Sequence, residues 1–194
     1  MTELLTSDEG QTALELARTA IEEYLGSGDV IKPEGVPGLP PVFRNNRGVF
    51  ITLNNRSGSR RELRGCIGRP YPVMPLGEAI VISAINAATE DPRFMPVTLI
   101  ELQNLEIEVT VLTMPHRLKA KPEELPGKIE VGRHGLIVQK GPYSGLLLPQ
   151  VAVENEFNAE EFLGQTCMKA GLFPDAWFES DTEVFAFEGQ IFHE

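Results

Sequence analysis

Apolar and polar positions along the chain switch between helical and strand periods. Over residues 8–25, Leu14, Ala17, Ile21, Tyr24 and Leu25 share one helical face, which predicts a first helix. Asp8 and Gln11 are its candidate capping pair, and Gly26 is placed to end it. Residues 32–41 hold four prolines and two glycines and are read as an irregular crossing segment. Residues 48–53 alternate with Val49, Ile51 and Leu53 on one side, residues 54–61 are a polar loop, and residues 62–67 read as the returning strand of a hairpin. A second helix is predicted over 76–89 from Leu76, Ile80, Ala84 and Ala87, with Pro92 beyond its end. Residues 105–112 alternate cleanly, with Leu105, Ile107, Val109 and Val111 opposed to Glu106, Glu108 and Thr110.

The C-terminal part continues in short units. Residues 129–131 and 136–138 flank Gly132-Arg133-His134-Gly135 as a second predicted hairpin. The apolar run 145–148 is a buried strand or strand end. A third helix is expected over 158–170, with Asn158 and Glu161 as its cap pair and Gly171 after it. Residues 183–187 and 190–192 read as two closing strands. Hairpins predominate over βαβ units. The expected fold is therefore α+β, a mainly antiparallel sheet flanked by helices.

Length and charge narrow the classes of function. The 194 residues suit a single domain over 1–194, or a larger body with a smaller lobe built onto it. With 28 acidic and 17 basic residues the net charge is −11, which disfavours broad, sequence-independent binding to nucleic acid and docking on an anionic membrane. A small basic pocket stays compatible with that balance. Two cysteines are too few for a disulfide framework, the first residues lack a signal-peptide pattern, and no apolar run is long enough to span a bilayer. The expected compartment is the cytoplasm.

Candidate chemistry gathers around Leu63-Arg64-Gly65-Cys66-Ile67-Gly68. Strand alternation puts Leu63 and Ile67 on the core-facing side and turns Arg64 and Cys66 to the other. A guanidinium beside a thiol favours the reactive thiolate. Gly65 and Gly68 leave room for a ligand or for a neighbouring backbone. Cys66 is read either as a reactive thiol or as a buried packing thiol. Arg56, Arg60, Arg61, Arg64 and Arg69 form a basic island; Arg64 is the member expected to line a pocket, and Arg56, Arg60 and Arg61 read as a solvated hairpin tip. Asp91 and Arg93 either orient a ligand or satisfy each other at a proline-fixed corner. Glu108 is a candidate general base if its face lines a cleft, and an ordinary surface residue if it does not. His134 either presents its imidazole to a ligand or has no role. Cys167, on the third helix, reads as a packing thiol, while His116 and His193 carry no supporting pattern. Nucleotide loops, a nucleophile elbow and zinc-type cysteine pairs are absent from the sequence, so no metal or cofactor is assigned.

Taken in order, these blocks resemble one family. The hexapeptide over 63–68 is similar to the hallmark of the AMMECR-one family. The match continues through Asp91-Pro92-Arg93-Phe94, Ile107-Glu108-Val109-Thr110-Val111-Leu112 and Gly132-Arg133-His134-Gly135-Leu136. It closes with Gly145-Leu146-Leu147-Leu148-Pro149-Gln150-Val151-Ala152, Phe162-Leu163 and Thr166-Cys167-Met168-Lys169-Ala170-Gly171-Leu172. The blocks run from about residue 48 to the C-terminus. Met95 and Phe157 depart from the expected proline and tryptophan. The resemblance implies an α+β body with a smaller lobe, and an activity that is not established. Enzymatic modification of nucleic-acid bases has been suggested for the family from fold similarity, and Memo-type and radical-SAM proteins are implied as associates.

The resulting expectation is an enzyme or ligand-processing domain taking a small molecule or nucleotide. Cys66, Glu108 and His134 are the catalytic candidates, and Arg64, Gly65, Gly68, Asp91, Arg93 and Gln150 the ligand-binding ones. The alternative is a non-catalytic adaptor whose matched blocks shape a groove for a peptide or protein partner.

Overall fold

The computed structural model describes residues 4–56 and 62–194. In chain order the elements are α1 (Ser7–Ser27), β1 (Val49–Asn55), β2 (Glu62–Arg69), α2 (Leu76–Thr89), α3 (Leu99–Leu102), β3 (Leu105–Leu112), β4 (His116–Arg117), β5 (His134–Lys140), β6 (Tyr143–Leu147), α4 (Pro149–Glu154), α5 (Ala159–Lys169) and β7 (Glu183–His193), with short 3-10 turns between them. The fold is α+β with antiparallel strand pairing. The chain divides into two compact units, Met1–Leu112 with Gln190–Glu194, and Thr113–Gly189.

In the first unit the strand order is β2-β1-β3, followed by the C-terminal part of β7. Val49, Ile51 and Leu53 of β1 and Leu105, Ile107, Val109 and Val111 of β3 face one core with the apolar sides of α1 and α2. That core is the period-2 stripe of two strands meeting the helical stripe of two helices. α2 is buried around most of its circumference, with Ala79, Ile80, Val81, Ala84, Ile85, Ala87 and Ala88 all inside.

Both ends of α1 differ from expectation. The capping box is Thr6 with Glu9, and Gly28 ends the helix with φ 84°. Thr6 accepts the Glu9 amide while the Glu9 carboxylate accepts the Thr6 amide, so two unpaired donors are met reciprocally. Asp8 lies inside the first turn instead.

In the second unit β4 and β5 both pair with the N-terminal part of β7, and β6 pairs with β5. Phe162, Leu163 and Cys167 of α5 pack into a second core with Leu136, Val138, Trp177 and Ala186. The expected Asn158 and Glu161 cap of α5 is present. The expected hairpin over 129–138 is not. Residues 126–128 form a 3-10 turn, Glu130 accepts the His134 amide across a tight turn, and β5 pairs instead with β6 around Gly141 and Pro142. Ile129 is buried as a loop residue, so its apolar character served packing and not strand pairing. The two expected closing strands are one strand, β7, which runs on through Gly189.

Candidate functional site

The hexapeptide forms most of β2, and its two glycines are each matched to a neighbour. Gly65 lies against α2, where a Cβ would run into the carbonyl oxygen of Ala87. Gly68 lies under the ring of Phe50 on the adjacent strand. Just before Gly65 the pairing register shifts. Gly65 faces Leu53 while Leu63 faces Asn54, so Arg64 is the extra residue of a β-bulge.

The bulge overturns one expectation. Leu63 sits on the same face as Asn54, away from the helices, and is 37% exposed, whereas Ile67 packs against the core. Arg64 is also redirected. Its guanidinium donates to both carboxylate oxygens of Glu101, at 2.5 and 3.2 Å, and to the Met95 carbonyl at 2.9 Å, lying over the Phe94 ring. The basic island does not assemble as a cluster among the described residues. Arg64 is neutralised by Glu101, Arg56 approaches Glu194, and Arg60 and Arg61 lie outside the described residues.

A different arginine reaches Cys66. β2 ends the strand order of its unit, so one side of its backbone faces outward. Asp91 and Arg93 meet it there. The Cys66 amide donates to Asp91 Oδ2 at 2.8 Å, and Arg93 Nη2 donates to the Cys66 carbonyl at 3.4 Å. The Asp91 carboxylate also accepts the Arg93 amide at 3.1 Å, Nε at 2.9 Å and Nη2 at 2.7 Å. Four donors therefore converge on one buried carboxylate, close to its full accepting capacity. The Arg93 guanidinium holds the Asp91 carboxyl well below the usual carboxylate range, and the Cys66 and Arg93 amides act in the same direction against burial. Reciprocally, Asp91 raises the pKa of Arg93, with a smaller contribution from Cys66 itself.

The Cys66 side chain begins a row that crosses the sheet on the face away from α1 and α2. Thr52 of β1 stands opposite Cys66, and its hydroxyl donates to the sulfur at 3.4 Å. Opposite Thr52 on β3 is Glu108, and His193 of β7 places Nδ1 3.3 Å from the Glu108 carboxylate. A thiol, a hydroxyl, a carboxylate and an imidazole thus follow one another on four adjacent strands. Phe50 and Thr110 flank the row on one side, and Asn54 and Glu106 on the other. A hydroxyl donating to a sulfur is the kind of contact that favours a thiolate.

Cys66 and Glu108 are thus the two expected catalytic residues that the row contains. Thr52 and His193 were not anticipated. Alternation along β1 puts Thr52 on the polar face, but its pairing with Cys66 depends on strand register, which the sequence does not carry. His134 and Gln150 belong to the second unit. His134 is the first residue of β5, its Nδ1 accepts the Glu130 amide at 3.0 Å, and its ring meets that of His116 edge-on at 6.4 Å. Gln150 is half-buried in the first turn of α4. Cys167 is fully buried, and burial pushes its thiol up to about 11. Among the described residues, no group of three or more histidine, cysteine or carboxylate side chains is arranged to hold a metal ion, and no helix is long and apolar enough to cross a membrane.

Comparison with known proteins extends these motifs to nearly the whole chain. The model of the AMMECR1 family matches residues 14–192. A protein of Methanosarcina acetivorans is 55% identical over 192 residues, covering 98% of this chain and 94% of the relative. One from Thermococcus gammatolerans is 54% identical over 186 residues, with 95% and 90% covered. The crystal structure of the uncharacterized protein PH0010 from Pyrococcus horikoshii superposes with a TM-score of 0.84 at 51% identity, over 98% of this chain and 93% of that one.

Proposed function

The chain belongs to the AMMECR1 family, and on that premise we propose that the Cys66 row is a thiol-based ligand-processing site for small anionic molecules. The observation that carries this reading is the hydrogen bond from Thr52 to the Cys66 sulfur, on a residue whose backbone is fixed by Asp91 and Arg93. Cys66 is the nucleophile. Thr52 stabilises the thiolate by donating to the sulfur, the thiol proton leaves to solvent, and Glu108, met by His193, lies next along the row. Arg93 is half exposed at the Cys66 backbone and supplies the cationic ligand contact first expected of Arg64. A nucleotide-sized anion suits a protein of net charge −11 better than a long nucleic acid does.

Alkylation of the intact protein, followed by mass spectrometry, tests this. The reaction joins sulfur to the reagent carbon with loss of iodide and the thiol proton. Cys66 is expected to react more than about tenfold faster than buried Cys167, and Thr52→Val to slow Cys66 by about three- to tenfold. Iodoacetate and neutral iodoacetamide separate the role of Arg93: Arg93→Gln lowers the ratio of their rates severalfold if the guanidinium steers anions. A folded protein whose Cys66 resists both reagents defeats the proposal.

A second reading, a non-catalytic adaptor, is favoured by the exposure of Met95, Leu99 and Ile100 around the Arg64–Glu101 pair. It predicts that Ile100→Asp abolishes capture of a protein partner while Cys66→Ser leaves it intact.

A further inference from the structure

A cleft of about 520 Å³ lies wholly within the second unit, between the turn after β5 and the segment after α5. Its walls include Lys140, Tyr143, Leu172, Phe173, Glu179 and Asp181. Two features distinguish it. Its aromatic residues are left in solvent, Phe173 at 81% and Tyr143 at 53% exposed. Its charged residues are unequal in number: the Lys140 ammonium pairs with the Glu179 carboxylate and lies 3.3 Å from Asp181 Oδ1, so one cation serves two carboxylates. Both adjoining turns are held by glycines in the left-handed region, Gly141 at φ 55° and Gly171 at φ 78°. The surface is therefore presented by turns of defined shape.

We propose that this cleft is a recognition site for an arginine side chain of a protein partner. Exposed large aromatics attract a planar cation by stacking and by the negative face of the ring. A guanidinium is the cation that combines a flat, weakly hydrated face for Phe173 or Tyr143 with a fork of donors for a carboxylate. The excess negative charge supplies the complementarity, with Asp181 as the more exposed carboxylate of the pair. The size suits one side chain with its flanking backbone, since ligand pockets start at roughly 300 Å³. The proposal does not depend on the Cys66 reading, because every residue in it belongs to the second unit.

The test titrates the full chain with a blocked pentapeptide carrying one central arginine, and with the same peptide carrying citrulline or lysine, read by amide chemical shifts. Shift changes are expected at Tyr143, Gly171 to Phe173 and Asp181. Citrulline is expected to weaken binding at least tenfold, and lysine threefold or more. Asp181→Asn and Phe173→Ala should each weaken the arginine peptide three- to tenfold, while Glu154→Gln, on exposed α4 surface outside the cleft, leaves it within twofold. Both cleft residues are exposed, so the variants are expected to keep the wild-type spectrum elsewhere. Equal losses in Glu154→Gln, equal binding of arginine and lysine, or shifts that map away from the cleft would each overturn the assignment, leaving only diffuse attraction to an acidic protein.

Discussion

At Cys66 the amide and the carbonyl leave the sheet on its outer side, and Asp91 and Arg93 close both. An edge strand that keeps such groups unpaired invites pairing with other chains. The Asp-Pro-Arg-Phe corner therefore acts on β2 as a side-chain substitute for a neighbouring strand. Asp91→Ala strips the partner from a part-buried amide and leaves Arg93 unpaired, so a loss of about 1–3 kcal/mol is expected in chemical denaturation. The pH dependence follows from the lowered pKa. The unfolded chain binds a proton at Asp91 near pH ~3.9, above the folded value, so the contribution is fully present above that pH and is lost as pH falls below it. The stability gap between wild type and Asp91→Asn should therefore narrow in acid below about pH 4; a gap that widens there contradicts the assigned hydrogen bonds. The glycines separate by what they touch. Gly65→Ala meets a helix carbonyl that cannot turn aside, and a cost of about 1–3 kcal/mol is expected. Gly68→Ala meets the ring of Phe50, which can swing, and its melting temperature should fall less.

Elements show how local rules compete. The start of α1 offers two overlapping capping patterns, Asp8 with Gln11 and Thr6 with Glu9. The structure uses the second, the pattern in which a hydroxyl and a glutamate are both present. Thr6→Ala should thus cost about 1 kcal/mol, and Asp8→Ala distinctly less, in thermal unfolding. β2 shows a different competition. Alternation alone sends Leu63 to the core with Ile67, and a single bulge at Arg64 reverses that for the residues before it. The bulge also carries the Arg64 guanidinium to Glu101, and the guanidinium at the Cys66 carbonyl comes instead from Arg93, 27 residues after Cys66. β7 reads as two strands because Gly189 interrupts its apolar pattern, yet its backbone continues to pair on both sides of that glycine.

For the whole molecule, two cores follow from the division into two units. One gathers residues of α1, α2, β1 and β3, the other residues of α5, β5 and the first part of β7. Cooperative opening should respect that partition. Phe162→Ala removes a fully buried ring from the second core, at a cost of about 3–5 kcal/mol. In native-state hydrogen exchange the amides of β5 and β6 are expected to lose more protection than those of β1 and β3. Equal loss in both sets would show that the units open as one.

The α+β class, the three long helices, the alternating β3, the capped α5 and the family are legible in the residue order alone, because these rest on periods and motifs within short windows. That order also marked the Cys66 hexapeptide and the Asp91–Arg93 corner, though as separate blocks. It takes the folded chain to show that Asp91 and Arg93 hold the Cys66 backbone, that Thr52, Glu108 and His193 line up beyond its sulfur, and that Leu63 faces away from the core. The reason is physical: periodicity fixes which side of its own strand a residue occupies, whereas register, bulges and strand order fix its neighbours. Those are set by contacts between segments far apart in the chain.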